Sequence, residues 1–163
     1  MDVLGIDIGG VIIGGANGNS DTSFFGDNFL STPEVTGAIA AISGLVTLRF
    51  GTRVCLISKC GPRTANKTLE WFKYHDFYDR TGISPDRVHF CRKRAGKRAI
   101  AAELGVTHYI DNRLEVLGLL SPVVPKLLLF QPDQNEVSEF AQFLPKVVIA
   151  HSWADVTAAL LDR

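Results

Sequence analysis

Six short apolar runs, each followed by a stretch of helix length, constrain this chain more than any other feature in it. They lie at residues 3–6, 53–57, 88–91, 106–110, 126–130 and 147–150. The first has no polar residue until Asp7, so it reads as a strand covered on both faces rather than one. Strands that alternate with helices at this spacing predict a doubly wound parallel sheet in a three-layer α/β/α sandwich. Expected helices occupy the stretch from Thr32-Pro33-Glu34 to near Gly51, then residues 62–75, 96–104 and 114–120. A last helix opens at Ser152-x-x-Asp155, which has the form of a capping box. The segment TGISPD, residues 81–86, reads as a loop.

At 163 residues the chain has room for one well-buried core and not for two large domains. Residues 1–163 are therefore expected to form a single domain. Acids and bases balance at 17 each, which gives no nucleic-acid or anionic-membrane signal, although a local basic patch stays open. The three cysteines, Cys55, Cys60 and Cys91, cannot all pair, and Cys55 lies inside an apolar run; a reducing, cytoplasmic setting is expected. His89 and Cys91 are too small a cluster for zinc and read as buried strand residues. No basic leader precedes the first apolar run, and no run approaches the ~20 residues of a membrane helix.

The chemistry gathers where the strands end. The first strand stops at Asp7, followed by Gly9 and Gly10, whose amides are expected to lie uncovered. The second stops at Ser58 and the fourth at Asp111-Asn112. In a parallel sheet all carboxyl ends share one rim, so Asp7, Ser58 and Asp111 converge, and Lys97 can reach them from the helix before the fourth strand. Two carboxylates, a hydroxyl and an ammonium suit a phosphate held with Mg²⁺, a hard cation that takes oxygen ligands. Residues 14–31, rich in Gly, Asn and Ser but holding Phe24, Phe25 and Phe29, read as a flap over this site or as a hairpin packed on the sheet edge.

The arrangement resembles the haloacid dehalogenase superfamily of phosphatases and phosphotransferases, over nearly the whole chain. The family's first motif, an apolar strand followed by Asp-x-Asp-Gly-Thr or Val, reads DIGGV at residues 7–11. Its strand-ending Ser or Thr matches Ser58 in VCLIS, its Lys matches Lys97 in AGKRAIAAELGV, and its final acid matches Asp111 in HYIDNRLEVL. The resemblance implies a small, capless phosphatase or nucleotidase-type member. Asp7 would be the nucleophile that forms an aspartyl-phosphate. Asp7, Asp111 and the carbonyl of Gly9, with Asn112 as an additional ligand, would hold Mg²⁺. Ser58 and Lys97, with Gly9 and Gly10, would bind the phosphoryl oxygens.

One departure stands out. The family's second Asp, its general acid–base, is Gly9 here, and such a group contributes ~10²–10⁴-fold to rate. Members that break carbon–halogen or carbon–phosphorus bonds also lack it, so a specialised hydrolase and an inactive binding or regulatory protein are both open, with Asp21 or Asp27 as substitute acids. A second resemblance, of GIDIGGVIIGG to the phosphate-binding opening of sugar kinases, would require a second large domain. Capless relatives close their sites with a large substrate or a neighbouring subunit. The expected partners are therefore a phosphorylated small molecule or macromolecule and a homo-oligomer contact near Phe24 and Phe25.

Overall fold

A strand buried on both faces needs a helical layer on each side, and this chain supplies both. The computed structural model describes residues 1–14 and 26–162. Its first half runs β1 (Leu4–Ile6), α1 (Ala38–Leu45), β2 (Val54–Lys59), α2 (Pro62–Tyr74), α3 (Phe77–Thr81), β3 (Val88–Cys91) and α4 (Arg94–Leu104). The second half continues through β4 (His108–Asp111), α5 (Leu114–Leu120), β5 (Lys126–Phe130), α6 (Gln134–Glu139), β6 (Val148–Ala150) and α7 (Trp153–Leu161). The strands form one parallel sheet in the order β3-β2-β1-β4-β5-β6. The chain winds outward from β1 in one direction through β3, then returns to lay β4 on the other side of β1. This is the doubly wound sheet expected from the sequence.

Two apolar clusters lie on the two faces. One packs Ile39, Ile42 and Leu45 of α1, Trp71 and Phe72 of α2 and Val156 of α7 against Leu4, Ile6, Leu56 and Leu128. The other packs Ala101 of α4 and Leu114 and Leu117 of α5 against Cys55, Ile57, Tyr109 and Leu129. Alternate residues of one strand thus serve opposite layers, as the two-residue period requires. On the outer edge β3 is half-buried throughout, which corrects the expectation that His89 and Cys91 are covered: an edge strand has a neighbour on one side only.

Three helices differ from expectation. The first was expected to start at Thr32-Pro33-Glu34, but it starts at Ala38, after Gly37 at φ 79°. Residues 32–35 are drawn elsewhere. Val35 donates to the Ile12 carbonyl at 2.7 Å and Gly14 to that of Pro33 at 2.9 Å, and Ile13 bridges Glu34 in antiparallel fashion. The Glu34 carboxylate still serves the helix by accepting from the Ile39 N–H at 2.8 Å. The short α3 and α6 lie where no helix was expected; neither is long enough to show an apolar period. The last helix opens as read: Ser152 accepts from the Asp155 N–H at 3.1 Å, and Asp155 accepts from the His151 N–H at 2.9 Å.

The stem made by residues 12–14 and 33–35 carries the segment expected as a flap. Asp21, Phe24 and Phe25 lie outside the described residues, so the contact expected at the two rings falls there too. The near side of the stem is fixed by Trp153, whose indole N–H donates to the Val11 carbonyl at 2.8 Å. The far side is fixed by Trp71, which donates to the Thr32 carbonyl at 2.9 Å, and by His75, 2.7 Å from the Leu30 carbonyl. Away from this rim, Arg49 binds the Leu160 carbonyl and the Asp2 carboxylate, the latter at 2.6 Å. Among the described residues no helix is long and apolar enough to cross a membrane.

Gly5, in the middle of β1, decides how closely the layer carrying Tyr109 can approach. A Cβ there would stand 2.6 Å from Tyr109 Cδ1. Gly5→Ala should therefore cost about 1–3 kcal/mol, the usual penalty for overpacking a core. It should appear in urea unfolding as a lower midpoint at unchanged slope.

Candidate active site

The site is built on three neighbouring strands. With β1 between β2 and β4, the residue that follows β1 stands between the carboxyl ends of both neighbours. That residue is Asp7, whose N–H continues the ladder by donating to the Ile110 carbonyl at 2.9 Å. Asp111 ends β4 and is fully buried, and Ser58 lies near the end of β2. Lys97 enters from α4. Gly96 lets that helix come close to β3, since a Cβ there would sit 2.8 Å from Cys91 Cβ, and the next side chain runs inward beneath the rim.

The Lys97 ammonium lies 2.9 Å from Asp7 Oδ1 and 2.9 Å from Asp111 Oδ2. It also stands 5.9 Å from the centre of the Tyr109 ring, within range of the ring's negative face. Asp111 uses its other oxygen to accept from the Arg113 N–H at 3.0 Å, which fixes the turn into α5. The start of α5 is held by Glu136, accepting from Leu114 N–H at 2.7 Å and Glu115 N–H at 2.9 Å. Every element that brings a charge to the centre is thus pinned next to it.

Two buried carboxylates share one ammonium, and their electrostatics show the imbalance. Burial pushes the Asp7 carboxyl up and the Asp111 charge pushes it further; Lys97 pulls it back, and the balance stands at about 7. Burial by itself would draw the Lys97 ammonium down, but Asp111 and Asp7 outweigh it and hold it well above the ordinary lysine range. The centre is short of positive charge.

Ser58, Lys59, Arg94 and Arg113 line a pocket of about 180 Å³ with Asp7, Lys97 and Asp111. Beside it opens a cleft of about 830 Å³, lined by Gly9, Gly10 and Asn112 on the near side and by Asp133, Glu136 and Glu139 on the far side. The four residues expected to carry the chemistry, Asp7, Ser58, Lys97 and Asp111, are therefore brought together; Asn112 is buried and faces the larger cleft. The turn after Asp7 differs from expectation at Gly10. Its amide was expected to be bare, but it donates to the Ile13 carbonyl at 2.9 Å, because the chain folds back on itself at once. Gly9 is exposed, and an added Cβ would meet nothing within 4 Å. Asp27 is exposed.

Sequence reasoning offered Arg94, with Lys93 and Arg98, only as a rival for the place of Lys97, and it missed Lys59, Cys60 and Arg113 as site residues. Lys59 and Cys60 follow Ser58 directly, and their place after a strand end was the available signal. The Cys60 sulfur is in hydrogen-bond contact with Ser58, and burial pushes its thiol up. Arg94 pairs with Glu115, a contact between separate helices that no local pattern reveals. Among the described residues no group of three or more His, Cys, Asp or Glu side chains is placed to hold a metal. The oxygens at the centre are those of two carboxylates and of the backbone.

Comparison by sequence finds no matching family model and no matching curated protein. Comparison by structure does find relatives. The chain is similar to D,D-heptose 1,7-bisphosphate phosphatase from B. bronchiseptica, a structure complexed with magnesium and phosphate. The TM-score is 0.70 at 16% identity, covering 99% of this chain and 98% of that one. It is also similar to the enzyme of that name from Burkholderia thailandensis, with TM-score 0.66 and 15% identity over the full length of both chains. A third likeness is to a protein from Burkholderia xenovorans LB400 assigned as a haloacid dehalogenase-like hydrolase. Here the TM-score is 0.52 at 14% identity, covering 87% of this chain and 65% of that one. The fold is thus the haloacid dehalogenase-like one that the motifs resemble.

The raised Asp7 carboxyl has a consequence for stability. Below about pH 4 it is protonated in folded and unfolded chains alike. Between about pH 4 and 7 the unfolded chain gives up this proton and the folded chain keeps it, so stability falls as the pH rises through that window. In chelator-treated protein, Asp7→Asn should gain on the wild type across this window and hold a constant lead above it. Urea unfolding at stepped pH measures the difference.

Proposed function

We propose that this chain is a magnesium-dependent phosphatase of the haloacid dehalogenase type, working through an aspartyl-phosphate at Asp7. The observation that carries the reading is the Lys97 ammonium, 2.9 Å from both Asp7 and Asp111 in a pocket that Ser58 also lines. A cation fits this centre on the chain's own chemistry: two buried carboxylates share a single ammonium, and burial together with the Asp111 charge pushes the Asp7 carboxyl up against the pull of Lys97. Magnesium suits it because that ion needs few protein ligands and keeps several waters. Asp7, Asp111 and the Gly9 carbonyl would hold it, with Asn112 beside them. The ion would supply charge for the phosphoryl oxygens and a fixed seat for the group to be transferred.

The chain's residues then divide the work. Asp7 attacks phosphorus with a carboxylate oxygen, splitting one difficult displacement into two easier ones. Lys97 stays charged throughout and faces the phosphoryl oxygens as their negative charge shifts, while Ser58 orients them. Fixed charges in a buried site need no rearrangement at the moment of reaction.

A second reading, a binding protein that keeps the phosphate pocket, is favoured by Gly9, which puts no acid where the family's acid–base stands. One variant separates the two. Among the described residues nothing lies within 4 Å of a Cβ added at Gly9, so Gly9→Asp should fold and raise phosphomonoester turnover by ~10²-fold or more. No gain, with the wild type also inactive, favours the binding protein.

Two further variants test the enzyme itself. Asp7→Asn should reduce Mg²⁺-dependent release of phosphate to background; equal turnover by wild type and variant sinks the proposal. Lys97→Ala leaves two carboxylates buried without their cation, and breaking a buried pair in this way costs about 3–5 kcal/mol. It should lower both the unfolding midpoint and the rate, and Lys97→Arg should recover part of the stability.

A further inference from the structure

The missing acid at Gly9 and the distribution of charge around the rim point to the same substrate chemistry. We propose that the group transferred to Asp7 comes from a phosphoanhydride, its leaving group being itself a phosphate, rather than from an alkyl phosphate ester. The inference rests on the phosphatase reading and narrows it.

The first observation is chemical. When an alkyl ester is cleaved, the departing alkoxide must be protonated, and a placed acid is worth ~10²–10⁴-fold in that step. Gly9 supplies none, and among the described residues nothing stands within 4 Å of where an acid's Cβ would be. A departing phosphate has no such need. In the step proposed here, a carboxylate oxygen of Asp7 forms the bond to the terminal phosphorus and the bridging P–O bond breaks. The electron pair leaves on the bridging oxygen of the departing phosphate, which is a stable anion at neutral pH. Water then attacks the phosphorus of the aspartyl-phosphate. Orthophosphate leaves, Asp7 is restored as the carboxylate, and one proton goes to solvent.

The second observation is electrostatic and independent of the first. The chain's charge balances overall but not around this site. No acid occurs between Glu34 and Glu70 or between Asp86 and Glu103, stretches that include the ends of β2 and β3 and the start of α4. From them Lys59, Arg94 and Lys97 line the small pocket. Lys59 is exposed and lines both the small pocket and the larger cleft. Among the described residues it has no acidic partner within 4.0 Å, whereas Arg94 is held by Glu115. The acids Asp133, Glu136 and Glu139 lie along the other wing. A phosphoanhydride carries a second anionic group directly beside the one transferred, and the cationic wing faces it.

Steady-state rates with Mg²⁺ test this on the wild type, Asp7→Asn and Gly9→Asp, using ADP, inorganic pyrophosphate, AMP and glycerol phosphate. The wild type should turn over ADP or pyrophosphate ~10²-fold or more faster than the two esters, the least that a placed acid is worth. Gly9→Asp should narrow that gap by accelerating the esters. Lys59→Glu should raise KM for the anhydride more than for AMP. ADP in preference to pyrophosphate identifies a nucleotide as the source of the anhydride; the reverse identifies an inorganic one. A wild type as fast on AMP as on ADP overturns this inference and leaves the phosphatase standing. Turnover of no substrate, or turnover that survives Asp7→Asn, overturns the phosphatase reading and the inference with it.

Discussion

One ammonium between two carboxylates sets the terms for the rest of this structure. Asp7 and Asp111 sit on adjacent strands whose spacing the sheet's hydrogen bonds fix, so neither can withdraw from the other. Lys97 makes their burial tolerable, and it does so with its own charge taken almost wholly out of water. Such an arrangement is no bargain for stability, because desolvation consumes much of what the attraction returns. It holds a carboxylate oxygen and a cation at fixed positions before any ligand arrives. The supporting features follow from that need. Gly96 lets α4 reach the strand, Tyr109 spreads its ring beside the ammonium, and Glu136 closes the start of α5 so that Asp111 cannot drift.

Much of this was legible in the sequence because the signals are local. Apolar runs ending in Asp7, Ser58 and Asp111 announce both the strands and the rim, since a parallel sheet puts every carboxyl end on one side. Ser152 with Asp155 marks the start of α7 by a side-chain rule that needs no tertiary context, and Gly105, at φ 69°, ends α4 by a backbone rule just as local. What escaped is what depends on partners far along the chain. The start of α1 moved because Val35 finds the Ile12 carbonyl, a bond between residues that no periodicity relates. Gly10 lost its bare amide for the same reason. Arg94 and Arg113 enter the pocket from the starts of α4 and α5, and only the fold places those helix starts beside one another.

The two tryptophans illustrate a different kind of economy. Each fills a layer of the core with its ring and spends its one polar atom on a loop carbonyl, Val11 for Trp153 and Thr32 for Trp71. The chain therefore leaves the core after the first motif and re-enters it before α1 between two indoles. The ends of the intervening segment are held by the same apolar packing that holds the sheet. A segment anchored in this way can change in length at small entropic cost, because loop closure grows only slowly with residue number.

Arg49 does something comparable at the opposite rim. Its guanidinium holds the Leu160 carbonyl near the end of α7 and the Asp2 carboxylate just before β1. Arg53 adds a bond from its Nε to the Asp2 carbonyl at 2.9 Å. The beginning and the end of the fold are thus fastened to one neighbourhood, on the side where β1 enters the sheet rather than where it delivers Asp7. Geometrically the chain is nearly a closed ring, cut at a point remote from its chemistry. A short linker between the two ends should let the ring be opened at some other surface loop.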